Sequence, residues 1–319
     1  MKQGRKASAM AALLGLALAL GALAAGPDHP GATTRPASQP AGIAERYPND
    51  VGIGTDTAVL LHEDFEAPQL DRRRWPDISN KAGALKLVRD VDHVHGGEQA
   101  LQITATLGVN TGGHLFRRFE QGAEKMHARF CVKFAKDCDY IHHFVHVAAE
   151  LPAVAWPTGR AGELPAGDRK FTVGIEPWGR WGRYPPPGGW HFYCYWWKMK
   201  ASPDGKYWGN DFAPKAYAVP QRDQWYCVEF MAKCNTPGKD DGEAGLWIDG
   251  SRLAYHANIN WRSSEKLKLN AFWLMLYVTE QSTKNKVNTV WFDDVVVATE
   301  YIGLPVKPKP TATTVPAGR

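Results

Sequence analysis

The stretch "GGWHFYCYWWKMK", residues 188–200, alternates in a way that predicts a β-strand with two different faces. Successive side chains of a strand point to opposite sides. The residues on one side suit a hydrophobic core: Trp190, Phe192, Cys194 and Trp196. Those on the other side mostly carry a polar tip: His191, Tyr193, Tyr195 and Trp197. We therefore predict a strand between the core and a surface that faces a ligand.

The same alternation recurs along the chain. It is present in "ALQITATL" (100–107), "ARFCVKF" (128–134), "KFTVGIEPW" (170–178) and "WYCVEFMAKC" (225–234). In "GLWIDGSRLAYH" (245–256) the dipeptide Asp249-Gly250 is a strong hairpin signal. No stretch of comparable length shows the apolar period of a helix. These features predict an all-β chain, a two-sheet antiparallel β-sandwich of the jelly-roll type over residues 51–303.

The two ends have a different composition from this domain. Basic residues precede an apolar run from Ala9 to Ala25, a pattern typical of a cleaved signal peptide over residues 1–25. Residues 26–50 and 304–319 are rich in Pro, Ala and Thr, and we expect a disordered linker and a disordered tail there. We therefore expect a secreted or periplasmic protein without a membrane span.

Removal of the signal peptide takes away three basic residues, so the formal net charge falls from +5 to about +2. The sequence shows no concentrated basic stripe, so we expect no nucleic-acid partner.

Four of the five cysteines occur in two similar segments, "FCVKFAKDC" (130–138) and "YCVEFMAKC" (226–234). They would form two cross-strand disulfides if the segments were neighbouring strands, or would remain reduced: Cys131, Cys138, Cys227 and Cys234. Cys194 faces the core and should be unpaired.

Four segments resemble a known family in their order along the chain. They are "EDFE" (63–66), "HARFCVKF" (127–134), "NTPGKDDGEAGLWIDGSRLAYH" (235–256) and "WFDDVVVATEYIG" (291–303). Together they resemble the concanavalin A-like jelly-roll polysaccharide lyases of the alginate and glucuronan lyase type. The resemblance implies two stacked antiparallel sheets, the concave one lined by polar and aromatic residues that hold a sugar chain.

This resemblance implies a Tyr-x-Tyr pair on a central concave strand, which Tyr193 and Tyr195 match. A catalytic lysine of the family has no counterpart here, and "YIHHFVHVAAE" (140–150) offers His142 and His146 instead. We expect these four residues to be catalytic, and His143 to lie on the opposite face. On a strand, His142 and His146 would be about 13 Å apart, so we expect no zinc site.

Six further residues are candidates for substrate binding, because a uronate needs cationic, hydrogen-bonding and stacking partners: Arg117, Glu176, Trp178, His191, Trp197 and Tyr277. Arg117 and Arg118 are adjacent, so one of them should face the groove. A glycoside hydrolase would need two carboxylates aimed at one bond. The Glu-x-Asp-x-x-Glu pattern of related hydrolases is absent from the sequence.

We expect no cofactor, but a structural calcium ion remains an alternative. The first and last strands of such sandwiches often pair, which would bring Asp64 or Glu66 towards Asp293 or Asp294. The favoured function is a monomeric polysaccharide lyase that cleaves a uronate polymer by β-elimination. The alternative is a non-catalytic carbohydrate-binding or laminin G-like module.

Overall fold

The computed structural model describes residues 41–153 and 161–306. The predicted signal peptide, most of the predicted linker and residues 307–319 of the tail lie outside the described residues. Within the described part, no helix is long and apolar enough to cross a membrane.

The described chain contains fifteen strands and five short 3-10 turns. The strands are β1 (Val59–Glu63), β2 (Asp77–Ser79), β3 (Leu85–Val88), β4 (Ala100–Thr106), β5 (Gly112–Ala123), β6 (Lys125–Phe134), β7 (Val145–Glu150), β8 (Lys170–Trp178), β9 (Gly189–Tyr195), β10 (Asn210–Phe212), β11 (Trp225–Lys233), β12 (Gly242–Ile248), β13 (Ser251–Ile259), β14 (Leu269–Tyr277) and β15 (Val287–Ala298). The 3-10 turns are Ile43–Arg46, Pro48–Asp50, Ile53–Thr55, Lys81–Gly83 and Val91–His93.

These strands form two antiparallel sheets, which confirms the predicted β-sandwich. The outer sheet has the order β13-β12-β11-β6-β15-β4-β3, and β1 also pairs with β15. The second sheet has the order β10-β9-β8-β7-β14-β5-β2 and is called the groove sheet, because a groove lies on its outward face. The core between the sheets takes alternate residues of each strand, as the sequence predicts. In β4, for example, Leu101, Ile103 and Ala105 are fully buried.

The predicted hairpin joins β12 and β13. Asp249 and Gly250 have φ values of 48° and 72°. Two consecutive positive φ values are what a two-residue type I′ turn requires, and Gly adopts them without steric cost.

Part of the predicted linker is folded onto the outer sheet. The backbone N–H groups of Ile43 and Ala44 donate to the carbonyls of Tyr301 and Ile302, and Asp50 pairs with the buried Arg129. A buried charge without a partner is strongly unfavourable. Residues 43–50 are therefore part of the folded domain, which extends before the predicted boundary at residue 51.

The chain ends of the domain meet as the sequence predicts. β1 pairs with β15, and Glu63 lies opposite Val295. Glu66 accepts hydrogen bonds from the backbone N–H groups of Glu98 and Gln99. Asp293 accepts two from His95 and Gly96, and its side chain is fully buried. The turn at residues 95–99 thus lies between the two carboxylates.

The two cysteine-containing strands are neighbours but antiparallel. The β6–β11 register places Cys131 opposite Cys227, which leaves Cys138 and Cys234 beyond opposite ends of the strand pair. Two cross-strand disulfides are therefore ruled out, because in antiparallel strands they would need Cys131 opposite Cys234 and Cys138 opposite Cys227, a register shifted by seven residues from the one observed. All five cysteines are free thiols in this structure.

Candidate active site on the groove sheet

One face of strand β9 points into the core and the other away from it, as the sequence of residues 188–200 predicts. Trp190, Phe192 and Cys194 are fully buried in the core. Tyr193 and Tyr195 lie on the opposite face and are half-buried. The β-strand alternation of this segment is therefore sufficient to place both tyrosines on the face away from the core.

The strand register assembles a set of polar residues on this face of the groove sheet. Gly174 of β8 lies opposite both His146 of β7 and Tyr193 of β9. Two residues further along β8, on the same face, Glu176 lies opposite His191. Directly opposed residues of antiparallel strands have Cβ atoms about 4.5–5.5 Å apart. Groups on three different strands therefore meet in one place.

A groove of about 820 Å³ covers this surface. Its lining includes three histidines, two tyrosines and two cations from the groove sheet and adjoining loops: His142, His143, His146, Tyr195, Tyr277, Arg169 and Lys170. Two other lining residues are carboxylates, Glu150 and Glu163. A groove of this size with convergent polar groups is typical of a ligand-binding site.

Glu176 is the buried acid at the centre of this arrangement, with 6% of its surface exposed. Its Oε2 lies 3.3 Å from Nδ1 of His143, and its Oε1 lies 3.8 Å from Nε2 of His191. Burial by itself would raise the pKa of Glu176. The hydrogen bond from His143 and the neighbouring ring of His191 outweigh this effect and lower the pKa of Glu176 to about 2. Glu176 is therefore an ionised carboxylate at neutral pH.

The state of Glu176 fixes the tautomer of His143. An ionised carboxylate only accepts hydrogen bonds, so Nδ1 of His143 must carry the proton. Nε2 of a neutral His143 is then the nitrogen with a free lone pair. The side chain of His143 is 26% exposed and lines the groove. This arrangement gives the groove a proton acceptor held in place by a buried carboxylate.

His143 was predicted to lie on the opposite face from the groove, and this prediction is wrong. β7 begins only at Val145, so strand alternation does not extend back to His143. Instead His143 forms an isolated bridge with Tyr277, and the two rings stack with centroids 5.8 Å apart and planes at 13°. The ring of Tyr193 lies 5.5 Å away on another side. This pairing with the end of β14 holds His143 in the groove.

His146 lies on the groove face, as predicted. A Cβ atom on Gly174 would be 2.3 Å from Cδ2 of this imidazole, so only glycine leaves room for it there. Burial, and then the neighbouring His143, lowers the pKa of His146 to about 4. Its Nδ1 has no hydrogen-bond partner among the described residues. His146 is therefore a neutral, unsatisfied imidazole in the groove.

The two tyrosines of the Tyr-x-Tyr pair differ in their surroundings. Their hydroxyl groups lie 3.3 Å apart. Tyr195 lines the groove, whereas the ring of Tyr193 packs closely under Gly209. Burial, and then the neighbouring Tyr195, raises the pKa of Tyr193 above its ordinary value. Tyr193 thus supports the site from below and Tyr195 is the accessible member.

Two other predicted site residues, His142 and Tyr277, are neighbours in the groove. His142 is exposed, and its ring centroid lies 5.5 Å from that of Tyr277. Both residues line the groove.

Three predicted binding residues are not positioned to contact a groove ligand directly. Arg117 lies opposite the core residue Phe272 and donates to backbone carbonyls of residues 73 and 74. Trp197 lies beyond the end of β9, and its indole N–H donates to the carbonyl of Asn260 over 3.0 Å. His191 is 2% exposed, beneath Trp178. Arg118, not Arg117, has the groove-facing position of β5. β9 ends before Trp197, and the ring of Trp178 covers His191.

Arg118, the neighbour of Arg117, has the groove-facing position. It lies opposite Ala271 and forms an ion pair with Glu150 over 2.7 Å. Arg169 and Lys170 were missed altogether. They lie at the start of β8, and nothing in their local sequence distinguishes them from other surface cations.

Trp178 is half-buried at the far end of β8. Its ring stacks on His191 with centroids 5.1 Å apart and meets Trp181 edge-on at 4.9 Å. Trp181 is 88% exposed. Exposed rings of this kind provide apolar faces for sugar stacking.

Three potential metal ligands meet in the groove. One donor atom each from His143, His146 and Glu176 lie within 4.8 Å of one another. The prediction against zinc rested on the distance between His142 and His146, and in the structure His143 takes the place of His142. Two histidines and a carboxylate are a ligand set that divalent zinc accepts. In this structure, however, each carboxylate oxygen of Glu176 already lies within ion-pair distance of a histidine nitrogen, Oε2 of His143 Nδ1 and Oε1 of His191 Nε2.

Comparison with solved structures confirms the fold. An alginate lyase from a Chlorella virus superposes with a TM-score of 0.57 and 15% identity, covering 76% of this chain and 100% of that one. An alginate lyase from Aplysia kurodai gives 0.56 and 13%, covering 77% and 100%. An endo-β-1,4-glucuronan lyase from Trichoderma reesei gives 0.54 and 15%, covering 78% and 100%. No protein-family profile matches the chain, and no curated protein matches it significantly.

Proposed function

We propose that this protein is a polysaccharide lyase that cleaves a uronate polymer by β-elimination. The observation that carries the proposal is that His143 and Tyr195 line one groove, where the buried Glu176 pairs with His143 and the hydroxyl of Tyr193 lies beside that of Tyr195. Solved lyases of alginate and glucuronan share the fold, which supports this substrate class by analogy.

The reaction begins with removal of the proton from C5 of the uronate. His143 is suited to be the base, because Glu176 holds its Nδ1–H and leaves Nε2 to accept the proton. The ionised Glu176 also stabilises the imidazolium that forms, since the two groups are in contact and largely shielded from water. Glu176 is therefore a positioning residue that acts through His143.

The second requirement is a proton for the departing glycosidic oxygen. As the bond from C4 to this oxygen breaks, a double bond forms between C4 and C5, and the oxygen gains a proton. Tyr195 is the donor in our proposal, because its hydroxyl lines the groove and has the hydroxyl of Tyr193 3.3 Å away. After Tyr195 has given up its proton, Tyr193 can donate one to it through this contact between the two hydroxyl groups.

The third requirement is a partner for the uronate carboxylate, which takes on negative charge in the transition state. Arg169 and Lys170 both line the groove, and cations there stabilise such charge. The neutral His146 can hydrogen-bond to the sugar, since its buried Nδ1 lacks a described partner. Trp178 and Trp181 offer stacking surfaces for neighbouring sugars beyond His191.

We also propose that the protein is exported and acts on its polymer outside the cytoplasm. This rests on the signal-peptide pattern of residues 1–25. It is tested by fractionation of producing cells followed by N-terminal sequencing of the mature chain.

The decisive experiment is incubation of the purified protein with alginate, polyglucuronate and polygalacturonate. We expect the ultraviolet absorbance of an unsaturated uronate to rise with one of them. A His143→Gln variant that binds the same polymer should produce little absorbance. Binding without any unsaturated product from wild type would instead favour a non-catalytic carbohydrate-binding module, for which the exposed Trp181 would suffice.

A further inference from the structure

Two cysteines face each other on the outer sheet, away from the groove. Cys131 of β6 lies directly opposite Cys227 of β11. Their exposed fractions are 0% and 8%. The two side chains point away from the core, because their neighbours Val132 and Val228 are the core residues of this part of β6 and β11.

Opposed residues of antiparallel strands form either a hydrogen-bonded or a non-hydrogen-bonded pair, and the backbone hydrogen bonds of Cys227 show which kind it forms with Cys131. Its backbone N–H donates to Oδ1 of Asp249, and its carbonyl accepts from the N–H of Asp249, both over 2.8 Å. Asp249 follows β12, on the side of β11 away from β6. Since both backbone groups point away from β6, Cys131 and Cys227 form a non-hydrogen-bonded pair.

Non-hydrogen-bonded pairs have the shortest spacing in an antiparallel sheet, with Cα atoms about 4.5 Å apart. Disulfides join Cα atoms that are roughly 4.4–6.8 Å apart. The geometry points to a covalent cross-link, and we propose that Cys131 and Cys227 form a disulfide bond when the chain folds in an oxidising environment. The proposal is independent of the lyase activity.

The other three cysteines have no comparable neighbour in the described structure. Cys138 lies beyond the end of β6, where its carbonyl accepts from Arg222. Cys234 lies beyond the end of β11, where its N–H donates to the carbonyl of Glu124. Cys194 is buried in the core of the groove sheet. One disulfide and three free thiols are therefore expected.

The step requires an oxidant, for which a small-molecule disulfide such as oxidised glutathione is sufficient. The thiolate of one cysteine attacks this disulfide, forms a mixed disulfide and releases one glutathione thiolate. The second cysteine thiolate attacks the protein sulfur, closes the Cys131–Cys227 bond and releases the second glutathione thiolate. The two protons of the cysteine thiols pass to the glutathione products.

This reaction belongs to folding, before the pair is covered. Burial raises the pKa of Cys131 well above its ordinary value, which makes the thiol unreactive in the packed protein. His95 lies on the same surface, with a ring nitrogen within 4.8 Å of the Cys131 sulfur. The bond would join two central strands and close a loop of roughly a hundred residues, a length at which disulfides are strongly stabilising.

The test is refolding of the full chain with mixtures of oxidised and reduced glutathione, then titration of thiols in denaturant. We expect three free thiols, a cross-linked peptide containing Cys131 and Cys227 by mass spectrometry, and a Tm on the order of 5–15 °C above that of the reduced protein. Five free thiols, or a cross-link through any other cysteine, would overturn the proposal.

Two sets of variants sharpen the result. Cys227→Ser should abolish both the cross-link and the difference in Tm, and Cys131→Ser should do the same if it folds. Cys138→Ser and Cys234→Ser should keep both. A difference in Tm that persists in Cys227→Ser would also contradict the assignment.

Discussion

Nδ1 of His143, which lines the groove, lies 3.3 Å from Oε2 of the buried Glu176, although the two residues are separated by 33 positions in the chain. Glu176 belongs to β8, whereas His143 lies in the segment before β7. Their contact orients the imidazole of His143 as a proton acceptor.

Replacement of Glu176 by Gln should lower kcat by about a hundredfold, on the scale of losing a positioned acid–base group. The amide keeps the shape but neither fixes the tautomer of His143 nor stabilises its protonated form. KM should change little, because Glu176 is only 6% exposed. Glu163→Gln, at an exposed carboxylate of the same groove, is the matched control. Equal losses in both variants would contradict the assignment.

Replacement of Tyr195 by Phe should reduce kcat by about a hundredfold or more, because the ring remains and only the proton donor is lost. Binding of the uncleaved polymer, measured by calorimetry, should be retained. Tyr207→Phe removes a hydroxyl outside the groove lining and serves as the control. Full activity in Tyr195→Phe would show that another group protonates the leaving oxygen.

Replacement of Gly174 by Ala should displace His146, because the new Cβ would lie 2.3 Å from the imidazole. Misplacement of a groove residue by about 1 Å can cost about a hundredfold in rate. Gly54→Ala is a matched control, since its Cβ would meet His62 no closer than 3.4 Å. The prediction fails if Gly174→Ala retains wild-type kinetics while a structure shows the imidazole displaced.

Acidification should destabilise the protein partly through His146. The folded state keeps this residue neutral down to about pH 4, whereas the unfolded chain binds the proton below about pH 6.5. Between these values the unfolded state holds more protons, so the free energy of unfolding falls as the pH falls.

Urea unfolding near pH 7 and near pH 5 would measure this effect. His146→Gln should lose less stability between the two conditions than wild type. His93→Gln, at a half-buried histidine outside the groove that stacks on Trp291, is the control for loss of an imidazole elsewhere. Identical losses in wild type and His146→Gln would refute the prediction.

Metal removal should leave Tm and lyase activity unchanged. Asp293 and Glu66 already accept backbone N–H groups of the turn at residues 95–99, and Glu176 already lies within ion-pair distance of two histidines. Incubation with a chelator followed by calorimetry and the absorbance assay tests both sites. A drop in Tm that calcium restores would instead assign a structural ion to the outer sheet. Lost activity that zinc restores would assign a metal to the groove.

The sequence by itself determined the strands and which of their residues face the core. Trp190 and Phe192 are buried, and Tyr193 and Tyr195 face the groove, because alternation is a local property of an extended chain. The Asp249-Gly250 turn could be read in the same way, since its backbone conformation depends on two adjacent residues.

Only the tertiary structure decided which residues from distant segments meet. His143 enters the groove because it bridges to Tyr277, after the alternation of β7 has ended. Cys131 meets Cys227 because β6 and β11 run antiparallel in one particular register. Strand ends, register and loop paths depend on contacts between residues far apart in the chain, and a local pattern carries no information about them.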